Sequence, residues 1–375
     1  MRQRGRSVPL LCAVLLALGM LLSSARAGAY PQFAFKGYGG CADCHHSPTG
    51  GGLPNSWGRS SLDVSWSWGT SDWGDQDLTY DPAAELTPKL DVGLDARFLP
   101  LFTSDGDAAL GTFIPMLTEL GGAAALGRFK LYATVAPRKL GGSGPPVAPF
   151  SREHWLGVEL SSGVGVRAGR LVLPFGLRQP DHTQYVREDF ELDKYDQSYA
   201  LELDTRMQSW SLFGAAFAGD LVRLPAERQE RGAVLTGQRE WGGGGALGLS
   251  LLASTSTART RMAGSLFARL PLAAGTYALA EAAAQRFRAR VGDAEQLTIA
   301  EYVRLGWFAR PALDLYLELG HRTFPGTDAL TKMRAGVGAN WQLLQWFELI
   351  PQLLVEARSD LPLRTVAMAQ LHFVY

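Results

Sequence analysis

Cysteine is scarce in this 375-residue chain, which has three, at positions 12, 41 and 44. So few exclude the disulfide framework of a small secreted scaffold. Charged residues make up only 19% of the sequence, and neither sign dominates. With the four arginines of 1–27 set aside, 32 basic residues stand against 36 acidic ones, which argues against a nucleic-acid partner. Beyond residue 22 no stretch approaches the ~18 uncharged apolar residues that a membrane-spanning helix needs. No serine–histidine–acid set, phosphate-cradling glycine loop or second metal motif stands out, and the glycines at 50–52 and 242–244 read as turns.

What is present begins with a secretory signal. Arg2, Arg4 and Arg6 precede an apolar run from Val8 to Leu22, and Ser23-Ser24-Ala25-Arg26-Ala27 supplies a small-residue cleavage site. Cys12 sits too early in the run to mark a lipidation site and leaves with residues 1–27. The mature chain then keeps Cys41 and Cys44.

Residues 41–46 read Cys-Ala-Asp-Cys-His-His, and C-x-x-C-H is the attachment sequence of c-type haem. Two thiols one turn apart can each form a thioether to a porphyrin vinyl group, and the histidine after the second reaches the iron from one side. Cys41, Cys44 and His45 are therefore the expected thioether and proximal ligands of one covalently bound haem c. A plain Cys41–Cys44 disulfide and half of a zinc site are the competing readings. A structural zinc needs about four ligands, and residues 28–87 offer no cysteine beyond these two and no histidine beyond His45 and His46. The same segment has no methionine, so a distal ligand, if any, comes from elsewhere in the chain.

From about Lys89 the pattern turns to period two. Leu90, Val92, Leu94, Ala96 and Phe98 interleave with Asp91, Gly93, Asp95 and Arg97, and Leu313, Leu315, Leu317 and Leu319 with Asp314, Tyr316 and Glu318. A soluble sandwich alternates too. The segments here mostly reach the ~9–11 residues that cross a bilayer at a tilt. Tryptophans 307, 341 and 346 fall near segment ends, where an interfacial girdle would place them. The expected fold is all-β: a transmembrane antiparallel β-barrel of about 16 strands over 88–375, with a short N-terminal monohaem cytochrome c segment over 28–87. With an even strand number both termini face the periplasm. The long connections at 137–152, 174–196 and 219–229 then face outside, and the short turns at 161–163, 206–207, 241–244, 310–311 and 343–345 face the periplasm. This parity closes only if 230–240 is a strand and the first strand begins near 88.

Pro31-x-Phe33-Ala34 precedes the haem motif, and Pro-Thr-Gly-Gly-Gly at 48–52 and Asn55-x-Trp57-Gly58-Arg59 follow it. On these residues the chain resembles the fused monohaem cytochrome–porins of the bacterial outer membrane, specifically over 29–60 and only in architecture over 88–375. The resemblance implies a haem-bearing segment in or against the periplasmic mouth of the barrel. It also implies electron transfer across the outer membrane between an extracellular donor or acceptor, Fe2+ being one candidate, and a periplasmic cytochrome or other carrier. Its partners are then outer-membrane lipid and those redox proteins. His46 and the tryptophan-rich stretch through Trp57, Trp66, Trp68 and Trp73 depart from the family and leave iron open as the donor. The rival functions are a porin for small solutes, with the segment as plug or redox gate, and a haem sensor.

Strand direction selects the candidate distal ligand. If Leu371, Phe373 and Tyr375 face lipid, then Met368, Gln370 and His372 turn inward, with His372 near the periplasmic end. His372 is the first candidate and Met207 the second, whereas His154, His182 and His321 fall at the outer rim. The loop 181–196 gathers Asp181, His182, Glu188, Asp189, Glu191, Asp193 and Asp196, hard ligands that suggest metal capture, but also Arg187 and Lys194.

Overall fold

Alternation along the chain becomes a cylinder turned inside out. The structure is a computed structural model that describes residues 35, 44–48, 53–55 and 58, and 89–374 apart from loop positions 107, 139–147, 179–183, 193–196, 220–228, 274, 293, 311, 326–329 and 345. Seventeen strands appear among them. The first eight are β1 (Lys89–Ser104), β2 (Ala109–Leu126), β3 (Phe129–Arg138), β4 (Ala148–Phe150), β5 (His154–Ser161), β6 (Val164–Leu171), β7 (Ser198–Met207) and β8 (Trp210–Phe217). The remainder are β9 (Arg231–Trp241), β10 (Gly245–Thr255), β11 (Arg259–Pro271), β12 (Thr276–Ala289), β13 (Glu295–Arg310), β14 (Leu313–Phe324), β15 (Leu330–Leu344), β16 (Phe347–Arg358) and β17 (Leu361–Val374).

Each strand runs antiparallel to its neighbours, and β1 pairs with both β2 and β17, which closes the wall. Sixteen strands build the barrel. The short β4 pairs only with the upper end of β3, and β3 pairs with β5 below it. The expectations for the first strand and for residues 230–240 are met by β1 and β9. Tight turns such as 127–128, 162–163, 208–209 and 242–244 share one end with the start of β1 and the finish of β17, and the longer connections share the other.

Polarity is inverted relative to a soluble domain. Leu90, Val92, Met262 and Leu120 are exposed on outward rows, while Glu119, Glu202, Arg167, Gln285 and Glu318 are buried on inward ones. Lipid rewards the first arrangement, and pairing makes the second tolerable. Arg167 of β6 binds Glu202 of the neighbouring β7 at 2.8 Å, while Arg152 reaches past β3 to Glu119 of β2 at 2.6 Å and Arg261 of β11 reaches past β10 to Glu230 at 2.7 Å.

Inside the wall, aromatic rings lie over glycines on the adjacent strand. Phe267 opposes Gly248, Tyr277 opposes Gly306 and Tyr316 opposes Gly338 in register. A Cβ at Gly306 would stand 2.1 Å from the Tyr277 ring, whereas one at the outward Gly264 would meet nothing nearer than 3.6 Å. Gly306→Ala is expected to cost about 1–3 kcal/mol through overpacking. Gly264→Ala should leave the urea unfolding midpoint of the detergent-folded barrel unchanged.

Candidate functional site in the barrel lumen

Two pieces of chain enter the lumen. The first is the β6–β7 connection. The sequence has the 174–196 connection face outside; it does leave from the loop end of the wall, but from Leu171 the chain turns inward, which the sequence did not show. Leu173, Phe175, Val186, Phe190 and Leu192 pack in one buried cluster with the inward residues Val234, Leu252, Ala263, Ala283 and Ala300. Such an apolar run is costly in water and finds its partners across the lumen. Gly176, in the left-handed region at φ +60°, makes the tight approach, and its N–H donates to Ser250 Oγ at 2.8 Å. The Thr236 hydroxyl donates to the Pro174 carbonyl at 2.5 Å.

A one-turn helix, α1 (Tyr185–Glu188), follows. Arg187 on α1 donates to the Phe175 carbonyl at 2.7 Å and lies 3.6 Å from Glu281 of the wall. Further along, Arg261 donates to the Phe190 carbonyl at 2.7 Å and Gln285 to the Asp189 carbonyl at 3.2 Å. The loop is thus fastened from β9 to β14 and narrows the lumen.

Among the described residues of this loop, acids are paired with arginines. Asp189 is bound by Arg322 and Glu191 by Arg259. Among the described residues no group of three or more His, Cys, Asp or Glu side chains is placed to hold a metal ion. Burial pushes the Asp189 carboxyl up from its ordinary value, and the Arg322 guanidinium opposes the shift. Asp181, His182, Asp193, Lys194 and Asp196 lie outside the described residues.

The second piece is the N-terminal segment. Cys44 to His46 run antiparallel to Leu53–Asn55: His46 N–H donates to Leu53 O at 3.2 Å, Asn55 N–H donates to Cys44 O at 2.9 Å, and His45 and Pro54 form a bridge. Gly58 presses on this hairpin so closely that a Cβ there would stand 2.1 Å from the Cys44 carbonyl oxygen.

Inward wall residues near the terminal end of the barrel hold the hairpin. His46 Nε2 is 2.8 Å from Asp91, Leu53 N–H donates to the Tyr132 hydroxyl at 3.1 Å, and Arg167 donates to the Ser47 hydroxyl at 3.0 Å. Tyr132 stacks on Trp155 with ring centroids 5.4 Å apart, and Arg167 covers the Trp155 ring. Phe35 stacks on Tyr277 of β12 with ring centroids 4.8 Å apart.

Of the sequence-predicted site residues, Cys44 and His45 lie side by side and half-buried in this hairpin. Cys41 and the tryptophans at 57, 66, 68 and 73 fall outside the described residues. His372 faces the lumen as expected and sits between two carboxylates, Nε2 at 3.2 Å from Asp95 and Nδ1 at 3.1 Å from Glu348. Asp95 is four residues along β1 from Asp91, the partner of His46, a separation of about 13 Å at ~3.3 Å per residue. Met207 closes the outward row of β7 beyond Leu201 and Leu203, so it turns away from the lumen and fails as a ligand. His154 and His321 lie near the loop end, as read from the sequence. The sequence reading missed Tyr132, Trp155 and Arg167 as a dock. Their signal was present, since large polar and aromatic residues on an inward row must find partners inside.

The architecture defines an outer-membrane-type β-barrel with a polar lumen and an inserted loop. No family model matches the sequence, and no curated protein does. Among solved structures the chain is similar to the in-vitro folded trimer form of OmpT, an outer membrane protein of Vibrio cholerae, with a TM-score of 0.61 at 10% identity over 77% of this chain and 100% of that one. It is similar also to an anion-selective porin from Comamonas acidovorans, TM-score 0.57 at 10% identity over 77% and 100%. A third is the outer membrane channel DcaP of Acinetobacter baumannii, TM-score 0.57 at 12% identity over 77% and 99%. At these identities the likeness concerns the fold.

Proposed function

We propose that this protein is a porin-type channel for small polar solutes in the bacterial outer membrane, both termini periplasmic, whose lumen is stopped by its own N-terminal segment. One observation carries the reading: the hairpin at 44–55 is held against the inward wall by Asp91, Tyr132 and Arg167. A segment so placed obstructs a path that sixteen strands would otherwise leave wide enough for an aqueous channel. The porin and channel among the similar structures support it. Planar-bilayer recording of the full-length protein tests it, with low conductance expected that rises when the segment is released. A large, constant conductance in the intact protein would sink the plug.

A second reading concerns what the plug carries. The sequence of 41–45 makes Cys41 and Cys44 the residues that would hold a haem c by thioethers and His45 the residue that would ligate its iron from one side. The described residues fit such a group: Cys44 and His45 are half-buried together, Gly58 leaves the Cys44 backbone room that no larger residue could, and the Tyr132–Trp155 stack stands beside His46. When bound, the group supplies a reversible one-electron change, so the barrel would pass electrons between an extracellular donor or acceptor and a periplasmic carrier. His372 would serve as distal ligand only by giving up one of its two carboxylate contacts.

Outer membranes from wild type are expected to show a covalent haem band that the Cys41→Ala/Cys44→Ala variant lacks, with the barrel folded in both. A colourless wild type removes this second reading and leaves the channel standing.

A further inference from the structure

One acid–imidazole pair stands on the outward face of the wall, below the rim pair Arg286–Glu295. Glu301 of β13 and His321 of β14 are directly opposed in register, and both belong to outward rows, Glu301 between Ile299 and Val303 and His321 beyond Leu319. Oε2 of Glu301 lies 3.3 Å from Nδ1 of His321, and the two side chains remain 56% and 33% exposed. Glu301 is six residues from Trp307, about 15 Å along the membrane normal at ~3.3 Å per residue and a tilt near 40°, within an apolar band about 25 Å tall. Ile299 continues the band beyond it, and Arg286, opposite Leu297 in register and paired with Glu295, begins the rim. Lipid tails offer these two polar side chains no further partner, and headgroups lie further out.

The surroundings suit a protein neighbour. The outward row of β12 carries Ala278, Ala280, Ala282 and Ala284, which leave the pair unshielded on that side and allow close backbone approach. Toward the terminal end, Leu305, Trp307, Leu315 and Val337 wall an apolar groove of about 640 Å3 floored by Gly306 and Gly338.

We propose that β12–β14 is the face through which two copies of this chain meet side by side in the membrane, each Glu301 reaching the partner subunit's His321. The register decides for a second copy over other occupants. Acid and base lie at one depth on neighbouring strands, so a two-fold axis along the membrane normal between β13 and β14 sets acid against base twice. The same face is complementary to itself, each carboxylate meeting an imidazole of the other copy. The inference rests on the barrel spanning a membrane and is independent of what the lumen conducts.

The test uses the full-length protein in nanodiscs. A Val303→Cys variant is expected to give a dimer with a bis-maleimide cross-linker, while wild type and Leu156→Cys, on the far side of the barrel, do not. Glu301→Lys should weaken association roughly tenfold by sedimentation, as close charge pairs at interfaces do, and Glu301→Lys/His321→Glu should restore it. Heat-modifiable mobility on gels confirms that each variant is folded, and should Glu301→Lys misfold, the Val303→Cys result decides alone. A wild type that stays monomeric across the micromolar range overturns the proposal. So does cross-linking at Val303→Cys no greater than at Leu156→Cys, or cross-linking only to a different protein.

Discussion

Deleting residues 30–60 is expected to raise the single-channel conductance of the purified barrel by roughly fivefold or more, the lumen of a barrel this size being wide enough for an aqueous channel. The hairpin at 44–55 directs its polar groups to wall residues at one level: Asp91 on β1, Tyr132 on β3 and Arg167 on β6. With the hairpin gone, water replaces it and the inserted β6–β7 loop becomes the narrowest point. That loop should persist in the deletion variant: Arg178 loses its bond to the Pro48 carbonyl, but the anchors to Thr236, Ser250, Arg261 and Gln285 remain. The measurement is planar-bilayer recording at fixed salt, with unchanged heat-modifiable mobility showing that the wall is intact. Equal conductance in deletion variant and wild type would mean that the β6–β7 loop, not the N-terminal segment, closes the path.

Arg167→Ala should destabilise the barrel by about 3–5 kcal/mol, since it strands Glu202 without its cation in a site shielded from water. Arg167 binds Glu202 at 2.8 Å, donates to Ser47 at 3.0 Å and covers the Trp155 ring, so one change removes a wall ion pair and a plug contact together. Arg167→Met/Glu202→Met separates the two effects. The double variant should regain most of the stability, because no charge is left buried, but not the plug contact, so its conductance should stay raised. Urea unfolding in detergent reads the first quantity and bilayer recording the second. Loss of less than about 1 kcal/mol in Arg167→Ala would show that water reaches Glu202 and that the lumen is wetter at this level than the burial of both side chains implies.

The wall was legible in the sequence because lipid and water impose opposite demands on alternate residues. The row Leu90, Val92 and Leu94 against Asp91, Gly93 and Asp95 cannot survive a one-residue slip, which would turn every side chain of β1 to the other face. Turn lengths gave the parity, and alternation along the last strand gave the inward aim of His372. The path of the β6–β7 loop was not legible. Its apolar residues, Leu173, Phe175 and Phe190, have no period that points to a partner, and their partners on β9–β13 lie tens of residues further along the chain. Local pattern carries no information about which wall a loop will cross to. The docking of the N-terminal hairpin was hidden for the same reason: the Arg167–Ser47 bond spans 120 residues. The motif at 41–45 told which residues belong together chemically, and only the fold says where Cys44 and His45 stand.

Pairing of β1 with β17 carries a consequence for synthesis. Asp95 lies opposite Val374 and Ser104 opposite Thr365, so the first strand finds its second neighbour only in the final residues of the chain. A product truncated before Leu361 would keep two raw sheet edges, those of β1 and β16, with rows of peptide groups that hydrocarbon cannot hydrate. Membrane residence is thereby made conditional on a finished polypeptide. Zipping up across so long a sequence separation also predicts slow, all-or-none maturation, with the last strand as its rate-setting event.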